Sequence, residues 1–336
     1  MLSWPKPTPG RDMKRREFIT LLGGSLALAR PARAQASLPV IGFLNGGTMK
    51  GYAPFVEAWR LGLRQAGFVD GQNVTVQYRW TDGDPTRVRG YIEELVRLPS
   101  SVIVVSGGDA PVREAKAIIT GVPVVATFGS DPVENGTVSN INRPGANITG
   151  VSVFAVQLVE KRLELARLLA SDARVAYLIN PGNPHWKIDL AQMEGASARL
   201  KQDYVVLRAS TDAECDELFV TLPKANAKVL IVESDPFFIG NIERLVRLAA
   251  ENKIAAVFPR REYAAAGGLL SYGSNLSEAY RQLGIYTGRV LKGDKPADLP
   301  IVLPTRFEMV VNLKTANVLG ITMPTDILLR ADEVME

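Results

Sequence analysis

The chain has 336 residues, with 39 Lys and Arg against 35 Asp and Glu, one histidine and one cysteine. Seven of the basic and two of the acidic residues fall within the first 34, leaving 32 basic against 33 acidic side chains in the remainder. That balance, with no Lys/Arg cluster left over, argues against a phosphate-backbone track and so against nucleic-acid binding. Cys215 has no second cysteine to pair with.

Residues 1–34 read as a targeting segment. Lys14-Arg15-Arg16-Glu17-Phe18-Ile19-Thr20 supplies paired arginines, Phe18 to Ala29 a short apolar run, and Ala32-Arg33-Ala34 a small-x-small cleavage site. This is the layout of a twin-arginine secretory signal. The apolar run is about a dozen residues and is broken by Gly23 and Gly24, whereas a spanning helix needs about 20. The expectation is export to the periplasm with cleavage near Ala34. No cysteine follows for a lipid anchor. Met1 to Asp12 is proline-rich and precedes Met13, where such a leader starts well, so residues 1–12 read as an over-long start.

The chain beyond the leader is long enough for two cores. It alternates apolar runs with helical patterns. Strands are expected at Pro39–Leu44, Asn73–Trp80, Val102–Val105, Val122–Ala126 and Ile148–Val153, with helices at Phe55–Ala66, Pro85–Leu98 and Ala110–Thr120 between them. Continuous Val/Ile runs between helices signal parallel strands covered on both faces. The pattern then restarts: helix Gln157–Leu169, strand Arg174–Ile179, helix Trp186–Gln202, strand Tyr204–Leu207, helix Asp212–Leu222, strand Val229–Val232, helix Phe237–Asn252, strand Ala255–Phe258. Strand-like Leu269–Tyr272, a helix over Glu278–Leu291 and strand-like Phe307–Leu313 follow. Two β-α series of similar size predict an α/β protein of two doubly wound parallel-sheet lobes.

Open parallel sheets bind ligands beyond the carboxyl ends of their strands, beside helix N-termini. The loops there are small and polar: Asn45-Gly46-Gly47-Thr48, Ser106-Gly107-Gly108-Asp109, Thr127-Phe128-Gly129-Ser130-Asp131-Pro132, Asn180-Pro181-Gly182-Asn183-Pro184 and Glu233-Ser234-Asp235-Pro236-Phe237-Phe238. Glycine lets a ligand approach the backbone, and Ser, Thr and Asn offer neutral hydrogen-bond partners. Free helix N–H groups favour an anion, and Asp131 or Asp235 suits a cation. Singly, each loop is also an ordinary turn or N-cap; five at strand ends are stronger together.

Chemistry-bearing motifs are missing. No dinucleotide fingerprint, Walker loop or G-x-S-x-G elbow is present. His185 has no histidine or cysteine beside it to share a metal, and reads as a cleft-mouth or solvent-exposed loop residue. Cys215 reads as a buried structural thiol. Arg260-Arg261-Glu262 and the Arg60/Arg64 pair read as solvated faces. No enzyme and no cofactor are expected.

Several stretches carry a family resemblance: Arg15-Arg-Glu-Phe-Ile-Thr, Pro39-Val-Ile-Gly-Phe-Leu, Gly71-Gln-Asn-Val, Asp131-Pro-Val-Glu and Asn142-Arg-Pro-Gly-Ala-Asn-Ile-Thr-Gly-Val. Gly267-Gly-Leu-Leu-Ser-Tyr-Gly, Leu291-Lys-Gly-Asp-Lys-Pro-Ala-Asp-Leu-Pro and Asn312-Leu-Lys-Thr-Ala extend it. Over residues 13–336 the chain resembles the periplasmic substrate-binding proteins of ABC transporters, in the family that includes tryptophan- and tyrosine-binding members. The resemblance implies a type I periplasmic-binding fold, two lobes joined by a hinge of three crossings, with ligand in the cleft. It implies a first lobe of 39–153 plus about 275–293 and a second of 154–274 plus about 294–336.

On that reading a monomer captures a small solute, an amino acid before others, with an aromatic or branched apolar side chain among the options, and hands it to a permease and ATPase. Ser106, Gly107 and Thr127 would hold the carboxylate, and Asp131 or Asp235 the amine. Phe237, Tyr272 and Trp186 would cover the apolar part, with Asn45, Gly46, Ser130, Asn180 and Asn183 completing the loops. The alternatives are a ligand sensor feeding a signalling receptor, and a periplasmic enzyme.

Overall fold

The computed structural model describes residues 38–153, 158–170, 173–183, 185–304 and 306–336, with Met1 and Trp4. The expected leader lies outside the described residues. Pro39–Glu336 forms one unit, and it carries two sheets.

The first sheet is built from β1 (Val40–Asn45), β2 (Thr75–Trp80), β3 (Ser100–Ser106), β4 (Val124–Phe128) and β5 (Ile148–Ser152). Its order is β2-β1-β3-β4-β5 and every pairing is parallel. Helices α1 (Met49–Gln65), α2 (Arg87–Arg97) and α3 (Asp109–Ile118) connect the strands. The central run Val102–Val105 is fully buried, as two-sided coverage requires.

The second sheet repeats the arrangement with β6 (Arg174–Ile179), β7 (Tyr204–Arg208), β8 (Ala227–Val232), β9 (Ala255–Phe258) and β10 (Leu270–Ser274) in the order β7-β6-β8-β9-β10. Its helices are α4 (Val159–Leu169), α5 (Trp186–Leu200), α6 (Asp212–Thr221), α7 (Pro236–Gly240), α8 (Ile242–Glu251) and α9 (Arg261–Ala265). Then come α10 (Leu276–Leu291), β11 (Phe307–Asn312), α11 (Leu313–Leu319), α12 (Thr325–Leu328) and β12 (Glu333–Met335). Strand β11 pairs antiparallel with β10, and β12 parallel with β11. The two doubly wound lobes expected from the β-α alternation are therefore present.

Three details depart from the sequence reading. The single helix expected over Phe237–Asn252 is two, because Asn241 leaves helical geometry (φ −117°, ψ 23°) and its amide caps the Phe237 carbonyl at 3.2 Å. Helices α9, α11 and α12 are short and had no periodic signal to read. The segment after α10 stays on the first sheet longer than the boundary near 293 implied: Ser152 N donates to Val302 O at 2.8 Å, Val302 N to Gly150 O at 3.0 Å, and Thr149 Oγ1 to Leu299 O at 2.7 Å.

Helix α10 leaves β10 of the second sheet and packs on α1 of the first. Glycines set how closely these two helices pack. A Cβ on Gly284 would overlap the Trp59 carbonyl oxygen, and one on Gly62 would overlap that of Arg281. Trp59 Nε1 donates across the pair to Thr287 Oγ1 at 3.2 Å.

Candidate ligand-binding cleft

In a sheet of order 2-1-3-4-5 the crevice opens where strand order reverses. Here that is between β1 and β3 in one lobe and between β6 and β8 in the other. The structure sets these two switch points against each other. One cavity, of about 60 Å³, is walled by Gly46, Gly107 and Asp109 of the first lobe and by Asn180, Asn183, Asp235 and Phe237 of the second. A second, of about 50 Å³, has Thr127, Gly129, Tyr52 and Tyr280 on one side and Ser234 and Arg260 on the other. Gly107, Gly108 and Pro236 line both. A Cβ on Gly108 would stand 3.2 Å from Pro236 Cγ, so the lobes meet through bare backbone there. Spaces this small hold a headgroup or a few waters. A larger ligand needs the lobes to part.

In the first lobe, Asn45 organises the floor. It is fully buried, donates to Ser106 Oγ at 2.9 Å and Tyr280 Oη at 3.1 Å, and accepts from Gly47 N at 2.7 Å. Gly107 and Gly108 have φ of +77° and +111°, which only glycine adopts without strain. They lead into α3, whose N-terminus has no side-chain cap. Asp109, in its first turn, accepts from Gly129 N at 2.8 Å and lies 3.8 Å from His185 Nε2 of the opposite lobe.

In the second lobe the polar groups largely satisfy one another. Asp235 caps α7 by accepting from Phe237 N at 2.8 Å. It also accepts from Asn180 Nδ2 at 2.9 Å and Asn183 Nδ2 at 2.8 Å. Burial raises its carboxyl pKa, while these donors oppose the shift. Glu233 accepts from Asn180 N at 2.9 Å. Burial, then the neighbouring Asp189 carboxyl, push the Glu233 carboxyl well above its ordinary range. Burial raises the Asp189 carboxyl as well, and Glu233 Oε1 has no hydrogen-bond partner.

The sequence-derived site residues divide accordingly. Asn45, Gly46, Ser106, Gly107, Thr127, Asn180, Asn183, Asp235 and Phe237 all stand at the two switch points or on the cavity walls. Ser130 and Asp131 do not line these cavities. Ser130 Oγ accepts from Asn135 Nδ2 at 2.9 Å, and Asp131 caps its own turn through Val133 N at 2.8 Å and Glu134 N at 3.2 Å. Tyr272 and Trp186 pack against the second-lobe core, so neither lines these cavities.

Arg260 is the largest correction. Read as part of a solvated charge group, it is 4 % exposed and lies at the carboxyl end of β9 on the cavity wall. Tyr52 and Tyr280 supply aromatic wall that the sequence does not mark. Their only sequence signal is an apolar helix face. His185 is buried rather than exposed. Arg60 lies on the Tyr78 ring, 5.3 Å from its centroid, while Arg64 is exposed. Cys215 is buried, and burial pushes its thiol up to about 12.

With this geometry established, known proteins provide the context. The family described as ABC transporter substrate binding protein matches residues 48–335. The chain belongs to that family. It is 23 % identical over 259 residues to a tyrosine-binding protein of Clostridioides difficile (strain R20291), covering 76 % of this chain and 74 % of that one. Among solved structures it is similar to an ABC domain in complex with L-Trp from Streptococcus pneumonia, with TM-score 0.78 and 22 % identity over 89 % of this chain and 100 % of the other. It is also similar to a conserved domain protein from Vibrio cholerae, with TM-score 0.79 and 21 % identity over 88 % and 99 %. Substrate-binding proteins of this family are non-enzymatic, bind small molecules for an ABC permease, and are typically extracytoplasmic.

Proposed function

We propose that this chain is the periplasmic solute-binding component of an ABC importer and that it captures an amino acid between its lobes. The observation that carries the reading is the opposed pair of switch points. The first lobe turns glycine-rich strand ends, and the second lobe loops bearing Asn180, Asn183, Asp235 and Arg260, toward one another around cavities that neither lobe could form alone. Closure of two lobes about crossing segments is an established way to trap a ligand. The crossings here run between β5 and α4, between β10 and α10, and between Val302 and β11.

Amino acids come first among solutes for two reasons. A protein named for tyrosine binding resembles this chain in sequence, and a domain solved with L-Trp shares its fold. The cavities also combine charged groups with an aromatic wall of Tyr52 and Tyr280, which suits a zwitterion with an apolar side chain. Asp109 is better placed than Asp131 to meet an ammonium, since it stands on the cavity wall.

A thermal-denaturation panel of the twenty amino acids tests the reading. Binding to the folded state raises Tm in proportion to the logarithm of ligand concentration above Kd. A rise for one chemical class of amino acid supports the proposal. No shift from any of them at millimolar concentration removes it.

A further inference from the structure

We propose that Arg260 is the residue that recognises the ligand's carboxylate, which makes the solute an apolar carboxylate rather than a neutral polyol or sugar. This rests on the binding-protein reading and assigns the chemistry of its site.

Arg260 follows Phe258-Pro259 at the carboxyl end of β9 and stands just before α9. Its guanidinium donates through Nη2 to Ser234 Oγ at 3.1 Å, and its Nε has no partner. Among the described residues no carboxylate lies within 4.0 Å of it. The Glu262 carboxyl, two residues on, feels the Arg260 charge without bonding it; a buried guanidinium with no bonded anion is costly, and an unsatisfied N–H adds to the cost. The group that answers both is a carboxylate, whose two oxygens match the planar fork of the guanidinium.

The surroundings agree. The cavity that Arg260 lines has an apolar body of Tyr52, Val153, Ile239, Leu276 and Tyr280. Opposite stand Gly107 and Gly108, where backbone N–H groups lead into the uncapped N-terminus of α3, a favourable place for an anion. Other acceptors are already committed. The Asp235 oxygens are held by Asn180, Asn183 and Phe237. A second buried cation, Arg162, donates to the Tyr272 carbonyl rather than to an acid. Burial lowers its pKa to about 10, and the like charge of Arg260 adds to that. Ser106, expected from sequence to hold the carboxylate, has its hydroxyl engaged by Asn45. A neutral ligand would leave the Arg260 guanidinium with no anion bonded to it.

Calorimetry on the whole protein tests the assignment in two ways. The first compares L-tyrosine, L-tryptophan and L-leucine with their carboxamides on the unaltered protein. The tightest-binding acid is expected to exceed its amide by roughly 100-fold, the scale of a hydrogen bond to a charged group. The second uses Arg260→Gln, with circular dichroism to confirm folding. It is expected to lose about as much affinity for the acid and to lose the preference for acid over amide. Equal binding of acid and amide by the unaltered protein overturns the inference even if the variant does not fold. So does an acid preference that survives in Arg260→Gln. Saturable binding of a neutral sugar with none of any carboxylate overturns the Arg260 inference and leaves the binding-protein reading standing. Binding of no solute, with none co-purifying in native mass spectrometry, overturns both.

Discussion

His185 Nε2 stands 3.8 Å from Asp109 Oδ2, and the two residues belong to opposite lobes. Both are buried, and the separation exceeds a hydrogen bond, so the contact is one of packing. It exists only while the lobes are together. The structure is therefore closed across its switch points, and it is a particular pair of surfaces that allows the closure.

Gly51 and Gly240 test that directly. A Cβ on Gly51 would lie 2.7 Å from Gly240 Cα, where α1 of the first lobe meets α7 of the second. Neither residue lines the two cavities that hold the candidate site. Gly51→Leu is expected to keep the fold and block full closure. Solute affinity should fall by about tenfold or more, since a ligand binds only as tightly as its competent state is populated. Small-angle scattering should show a larger radius of gyration for the variant with saturating solute. Unchanged affinity and unchanged radius would contradict the role assigned to this contact.

Gly284 tests how α10 is held. The helix lies against α1, and a side chain at 284 would press on the backbone of Trp59 and Leu63 rather than on a flexible chain end. Gly284→Ala is expected to cost about 2–3 kcal/mol in urea denaturation, at the upper end for overpacking a tight core. The gain in helix propensity from glycine to alanine offsets only part of it. Stability equal to or above that of the unaltered protein would show that the two helices do not pack this closely.

Asp235 separates a positioning role from a ligand-binding one. It caps α7 and holds both asparagines of the β6 loop. Asp235→Ala should lower unfolding stability by about 2–3 kcal/mol, combining a lost cap with stranded buried donors. Full stability together with a large loss of solute affinity would instead mark the carboxylate as a direct ligand partner.

Glu233 predicts a pH slope. Its carboxyl is raised from the ordinary value of 4.5, first by burial and then by Asp189. The folded state thus holds a proton that the unfolded chain has released. The stability associated with this group is complete below about pH 4.5 and is lost as pH rises toward the folded pKa. Glu233→Gln keeps an acceptor for Asn180 N and offers Asp189 a permanent donor. It should flatten the decline in unfolding free energy above about pH 5, gaining about 1.4 kcal/mol per pKa unit removed. A variant with the same slope as the unaltered protein would show that Glu233 is ionised in the fold.

Much of this architecture is legible in the sequence because buried parallel strands are written as unbroken apolar runs. VIVV at 102–105 and VLIV at 229–232 cannot sit on a one-sided sheet, and the loops that follow them must turn into helix N-termini. The antiparallel pairing of β10 with β11 is not legible, since nothing in either strand records its partner's direction. The site divides in the same way. Glycines after strands mark the cleft, because close backbone approach requires them. Burial of a charge is different: Arg260 sits in Pro-Arg-Arg-Glu, and nothing in that local run records that the fold hides it from water. Asp235 looks available for a ligand until Asn180 and Asn183, more than fifty residues earlier, are folded against it.

The most direct measurement is small-angle scattering of the protein titrated with whichever amino acid most raises its Tm. The account predicts a more open profile without solute that converts at saturation to the compact two-lobed shape described here, following the same concentration dependence as the Tm rise. A profile that stays the same at every concentration of all twenty amino acids, with no rise in Tm, would contradict it.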